Sequence, residues 1–295
     1  MRKIFFIFIL LIFLNINKTF AVDNVPSSSQ TAKITIGNNS DTLTINSGIT
    51  LGNLTTQNRA DINEKNDVSV IVNSGGSILS LHNAVQGDDS DDLTITNSGT
   101  IRAAGAKAIN LKDTARSTIT NNSGGIIRSG TGSSISGETA TVSTITNSGT
   151  IYSDDERALN FFSTSTATVT NNSSGHIYNS NTNEAIKLDG GSTLTNSGKI
   201  ENKNSSSNNS VLLAGDNNTI TLKNSGLVIG TIAAGSSTSG NSLKIQHGAG
   251  QSYYYKTSGN FNLEDLDGNQ IVKGSAGSVG QGGSETVDEL SLIHI

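Results

Sequence analysis

Apolar and polar residues alternate along much of this chain, as in Leu93-Thr94-Ile95-Thr96 and Thr42-Leu43-Thr44-Ile45. An apolar residue at every second position marks a strand with one buried face; a helix would need spacings of three and four. These runs lead into Asn-Ser-Gly, and a second short run follows at once, as in Thr100-Ile101-Arg102. After a polar spacer comes a third run of the form Ala-Ile-x-Leu: Ala108-Ile109-Asn110-Leu111, Ala158-Leu159-Asn160-Phe161 and Ala185-Ile186-Lys187-Leu188. The Asn-Ser-Gly core (once Asn-Ser-Ser-Gly) begins at Asn46, Asn73, Asn97, Asn122, Asn147, Asn172, Asn196 and Asn224, in steps of 27, 24, 25, 25, 25, 24 and 28 residues. A unit returning at that interval defines a stacked repeat architecture.

The pattern predicts an all-β fold, a parallel β-helix with three strands in each coil of about 25 residues and a C-terminal β cap. Parallel crossovers are overwhelmingly right-handed, so the expected hand is right. Eight coils at about 4.8 Å per strand spacing would make a rod roughly 38 Å long. In this register Asn46, Asn73, Asn97 and their successors would stack as an asparagine ladder, and the glycine of each motif would supply a positive φ at the turn. Residues 22–45 read as an N-terminal cap, 46–229 as the repeats and 230–289 as a C-terminal cap and junction. Within the last of these, Asp267-Gly268 between apolar runs predicts a hairpin.

Composition alone would suggest disorder: the chain has 32 glycines, 15% charged and 4% aromatic residues, and only the spacing of its Ile, Leu and Val argues otherwise. A net charge of -5 argues against a nucleic-acid partner, which calls for a basic stripe. With no cysteine there are no disulfides, thiolate metal sites or cysteine nucleophiles. At the N-terminus, Arg2 and Lys3 precede eleven consecutive apolar residues, 4–14, and Thr19-Phe20-Ala21 offers small residues at the -3 and -1 positions. Residues 1–21 read as a cleaved Sec signal peptide, since about 20 apolar residues would be needed to span a bilayer.

Motif chemistry is sparse. No GxSxG elbow, GxGxxG loop, P-loop, HExxH or EF-hand loop is present. His82, His176, His247 and His294 are scattered singly, and His176 takes the slot of Thr100 and Thr150, a solvated strand position. Asp88, Asp89, Asp91 and Asp92 could collect a calcium ion, although a solvated acidic loop accounts for them. The same choice applies to Asp265, Asp267 and Asn269, which a turn explains. Tyr253-Tyr254-Tyr255 would alternate faces on a strand and leave one or two rings exposed. Arg102 and Arg128 hold equivalent positions, and Tyr152 and Tyr178 continue their column as a mixed surface stripe; Lys199 stands apart. The reading is therefore a non-enzymatic chain with no catalytic residue, cofactor or metal to nominate. Its contacts would be made through the spacers, 86–92, 153–157 and 202–210.

The repeat Thr144-Ile145-Thr146-Asn147-Ser148-Gly149-Thr150-Ile151 with its Ala-Ile-x-Leu partner, behind a signal peptide, resembles the passenger domains of bacterial autotransporters (type V secretion). The tail from Asn260 to Leu290 looks like the junction between such passengers and their translocator. The resemblance spans about residues 1–290 and implies Sec export, a translocator barrel encoded downstream, display on the outer membrane or release from a Gram-negative cell, and an adhesive or structural role toward host cells, glycans or further copies. It rests on architecture, and no catalytic motif of the family is matched. Related architectures give two alternatives, a secreted polysaccharide-acting β-helix enzyme and a two-partner-secretion haemagglutinin-like exoprotein. Leu290-Ser291-Leu292-Ile293-His294-Ile295 reads as the translation of a transposon mosaic-end sequencing adapter, so 290–295 are expected to be foreign, with the natural frame continuing past Glu289.

Overall fold

The computed structural model describes residues 23–56, 60–62, 65–139, 141–206, 208–224, 226–251, 253–274 and 288–291, with 272–274 and 288–291 as backbone only. The expected leader, residues 1–21, and His294 lie outside the described residues. All regular structure described is β: three sheets wind into a parallel solenoid of about 9 coils, roughly 25 residues apart. The chain visits the sheets in turn. Around Asn147 it runs through Val142–Asn147 in sheet A, Thr150–Ser153 in sheet B and Leu159–Phe162 in sheet C, then re-enters sheet A at Thr166–Asn171. Sheets A, B and C hold 11, 8 and 12 strands. Strand separations of about 4.8 Å give sheet A a length of roughly 48 Å.

The alternating pattern produces this shape directly. Inward residues form continuous rows in which like stacks on like: Ile95, Ile119, Ile145 and Val169 in sheet A, and Ile101, Ile127, Ile151 and Ile177 in sheet B. All are buried in one core. Sheet C shows that volume is balanced between coils as well as within them. Its core row runs Leu111, Gly137, Phe161, and Phe161 is the largest fully buried side chain. A Cβ on Gly137 would lie 2.5 Å from the Phe161 ring. Gly137→Ala should therefore cost about 1–3 kcal/mol by overpacking, and Phe161→Leu in the same chain should recover most of that loss, measured as urea midpoints of the single and double variants.

The asparagine ladder forms in a different column from the one the motif implies. Asn97, Asn121, Asn147, Asn171 and Asn196 are fully buried, and each Nδ2 donates to the Oδ1 of the next at 2.8 Å. Asn122 and Asn172 stand one residue further on, half-exposed, and donate to Ser98 Oγ and Ser148 Oγ. The reason is that alternate coils carry a longer corner: Asn121-Asn122-Ser123-Gly124-Gly125 and Asn171-Asn172-Ser173-Ser174-Gly175 replace the shorter Asn-Ser-Gly. The stack keeps the strand register and lets the corner bulge outward. Asn46 and Asn73 make a separate exposed pair at 2.9 Å. The ladder column there holds Ile45 and Val72, and at the other end Leu222 replaces the asparagine while Asn224 lies on the exposed corner.

The corner glycines also serve a purpose other than the expected one. Gly99, Gly149 and Gly198 are absent from the positive-φ residues; Gly48, Gly75 and Gly124 are among them. At Gly149 a Cβ would meet Gly125 O at 2.3 Å and Asn122 O at 2.5 Å. Here glycine is required because one coil's backbone rests on the next.

The other two corners carry polar columns of their own. Ser129, Ser153, Asn179 and Asn202 follow one another where sheet B turns to sheet C, and Ser165, Ser192, Asn218 and Asn241 accept backbone N–H bonds where sheet C turns to sheet A. Backbone groups leave the ladders at a corner and, once buried, need partners. These columns supply them. The spacers of unequal length, 86–92, 153–157 and 202–210, fall at these two corners.

Parallel stacking reaches further toward both ends than the repeat motif does. Asp23–Asn24 pairs with Thr42–Ile45 in sheet A, and Ile34–Thr35 with Ala60–Asp61 in sheet C. The predicted hairpin at Asp267-Gly268 does not form. Asn262–Asp265 joins sheet A parallel to Ser242–Gln246, while Val272–Gly274 joins sheet C antiparallel to Asp288–Ser291. The turn residues bend the chain, with Gly268 at φ 78, but Leu263 continues the inward row above Leu243. Stacking on that row wins over local pairing.

Candidate functional site

Three places on the solenoid gather chemistry-bearing side chains. The first is the outer face of sheet B, where Arg102, Arg128, Tyr152, Tyr178 and Glu201 occupy one column. The Tyr152 and Tyr178 rings stack at 4.6 Å and 13°. Arg128 lies 5.0 Å from the Tyr152 ring and Lys203 3.4 Å from the Tyr178 ring, while Asp154 accepts from the Arg128 guanidinium at 2.5 Å. Burial, with Tyr152 and Asp154 beside it, pushes the Tyr178 phenol up to about 12. Both ring faces of the pair are taken by each other and by the two cations. The stripe thus offers ring edges and charge, with no flat platform for stacking. Beside it His176 Nε2 meets Glu201 Oε2 at 3.1 Å, and Lys199 Nζ donates to the same oxygen at 2.7 Å. Burial lowers the His176 pKa, opposed by Glu201; the Glu201 carboxylate, penalised by burial, is nevertheless held below its usual range by Lys199 and His176.

The second is the outer face of sheet C. Asp61, Gln86, Asn110, Ser136, Asn160 and Lys187 share one outward column. Ser136 Oγ and Asn160 Oδ1, neighbours across one strand pair, are buried without a hydrogen-bond partner. Lys107 Nζ donates to Asn110 Oδ1 at 2.9 Å, and Asn110 Nδ2 donates to Asp88 Oδ1 at 2.5 Å. Gln86 also donates to Asp88. Burial raises the Asp88 carboxyl, with the Gln86 bond and two lysines opposing. The acidic loop is thereby dispersed: Asp88 faces the amides of sheet C, Asp91 accepts from Ala115 N at 3.2 Å, and Asp92 pairs with Arg116 at 2.5 Å. Among the described residues no group of three or more metal-ligating side chains converges.

The third is a cleft of about 280 Å³ lined by Gly226, Leu227, His247, Gln251, Tyr253, Tyr254 and Tyr255. It exists because sheet B ends at Leu227–Ile229, while the next coil fills that side with a loop between Ser242–Gln246 and Tyr254–Ser258. Tyr255 is buried and donates its hydroxyl proton to Gly226 O at 2.7 Å. With that proton committed, His247 Nε2–H donates to the Tyr255 oxygen, also at 2.7 Å. Burial lowers the His247 pKa and raises the Tyr255 phenol. Tyr253 bonds to Asp265, and Tyr254 stands 54% exposed. Of the three tyrosines, the strand alternation thus buries one in the core and exposes one. Asp265 Oδ1 accepts from the backbone N–H of Asp267 and of Asn269 at 2.9 Å each, so this acidic group builds a turn.

The described histidines are not brought together: His82 is exposed on a turn, His176 sits on sheet B and His247 beside the C-terminal cleft. The orphaned pair on sheet C was not foreseen. Its signal in the sequence is the x of Ala-Ile-x-Leu, which is polar or charged in coil after coil.

No protein-family model, curated protein or solved structure matches the chain. Fold and faces together define a β-solenoid repeat protein.

Proposed function

We propose that this chain is the passenger part of an autotransporter, exported through Sec and displayed on the surface of a Gram-negative bacterium as a rod with a structural or adhesive role. The observation that carries this reading is the pairing of a leader-like N-terminal sequence, residues 1–21, with a cysteine-free stack whose unequal spacers gather at two corners. A rod held together by identical rungs tolerates changes of loop length at little cost. It therefore suits presentation of changeable contact surfaces.

The test is to express the intact gene, including whatever follows the Glu289 codon, in a Gram-negative host. Antibody against 22–289 should label whole cells, and external protease should remove the signal. Retention in the cytoplasm, with cleavage after Ala21 absent, would sink the proposal. One observation favours a second reading, a β-helix enzyme acting on polysaccharide: the orphaned Ser136 and Asn160 among the charged side chains of sheet C. Turnover of a polysaccharide panel by purified 22–289, lost in Asn160→Ala, would establish that reading in place of an adhesive one.

A further inference from the structure

The outer face of sheet A differs from both other faces. Six successive coils place threonine at two outward positions each, from Thr94 and Thr96, through Thr144 and Thr146, to Thr219 and Thr221. The register through these six strands is unbroken, although the corners between them alternate in length. The result is a two-dimensional lattice: about 4.8 Å between rungs along the axis and about 6.6 Å between the two threonines of one strand. β-Branching restricts χ1 at every site. Among the described residues, none of the twelve hydroxyls is engaged by another side chain or by the backbone, and the array itself contains no charge.

Strand formation does not demand this composition. Beyond the array one column continues with Ile71 at one end and Lys244 and Glu264 at the other, and its neighbour with Ser69 at one end and Ser242 and Asn262 at the other, before threonine returns at Thr42 and Thr44. Sheet B's outer columns mix Thr100 and Thr150 with Ile126, His176, Lys199, Arg, Tyr and Glu, and sheet C's central outward column holds Asp, Gln, Asn, Ser and Lys. Uniform threonine is thus a property of one face over one stretch, where the same backbone elsewhere accepts other residues.

A surface periodic in two directions is complementary to a partner periodic in the same two directions. A folded protein without repeats lacks such a surface, a second copy of this face would have it, and a single polymer strand has it in one direction only. A crystal face has both. Ice presents oxygen rows whose two repeats are of this size. A threonine hydroxyl can stand in for a lattice oxygen while its methyl group seats between rows, and a rigid array orders the interfacial water with little loss of its own freedom. Charged side chains would hold their own hydration shells and break the match. We propose that the outer face of sheet A binds ice. This inference is independent of the export reading.

Thermal hysteresis and inhibition of ice recrystallisation by the purified chain provide the test. The wild-type chain should shape ice and suppress recrystallisation. Thr144→Tyr and Thr146→Lys, in the middle of the array, should abolish both effects with circular dichroism and melting temperature retained. Thr150→Lys, on sheet B, should leave them intact. The proposal is overturned by a folded wild-type chain without activity, by a Thr144→Tyr variant that keeps it, or by equal loss in Thr150→Lys. It also fails if the wild type sediments as a dimer that Thr144→Tyr separates while ice growth is unaffected, which would make the face a contact between copies.

Discussion

Asn147→Ala is expected to destabilise the solenoid by about 2–5 kcal/mol, and Asn172→Ala by no more than about 1 kcal/mol. Both residues open an Asn-Ser motif, so the sequence gives no reason to separate them. Asn147 is fully buried; its Oδ1 accepts from Asn121 and its Nδ2 donates to Asn171 Oδ1 and to Gly149 O. Truncation leaves buried partners unpaired on both sides, each costing about 1–3 kcal/mol. Asn121 Nδ2 retains Gly125 O and Thr150 O as acceptors, which keeps the total below the sum of two complete losses. Asn172 loses one half-exposed bond to Ser148 Oγ, which solvent replaces. Urea unfolding of the two variants side by side decides the matter, and equal midpoints would place the ladder in the wrong column.

Gly149→Ala should cost more than about 4 kcal/mol, the range reserved for a specific structural break. The added methyl would fall 2.3 Å and 2.5 Å from two backbone oxygens of the coil beneath. Neither oxygen can retreat without opening inter-coil hydrogen bonds on both sides of the corner. Gly124→Ala makes the opposite case. Gly124 is exposed with φ 81, and a methyl added there would have nothing within 4 Å, so only the left-handed backbone penalty of about 1–2 kcal/mol applies. Soluble yield and melting temperature would rank the two, and a milder Gly149→Ala would return the corner glycine to the positive-φ role its motif suggests.

The repeat was legible because stacking makes each coil's sequence constrain the next. Inward rows such as Ile95, Ile119 and Ile145 appear as apolar residues at nearly constant separation, and two-residue alternation marks them as strands. Local turn chemistry was a poorer guide. Asp267-Gly268 carries the residues of a hairpin, yet Leu263 takes its place in the core row above Leu243. The chemistry-bearing faces were less legible still. Ser136 and Asn160 lie 24 residues apart in the chain, and only the winding makes them neighbours whose polar atoms are both orphaned.

By itself the sequence determined the period, the three strands per coil and the inward rows, since burial of alternate apolar residues is a local pattern repeated many times. Tertiary structure decided which asparagine of each corner enters the ladder, why glycine follows it, and which outward columns face the same way. Those outcomes depend on contacts between coils. A longer corner shifts the motif without shifting the stack, because the energy lies in the strand register and the corner is free to bulge.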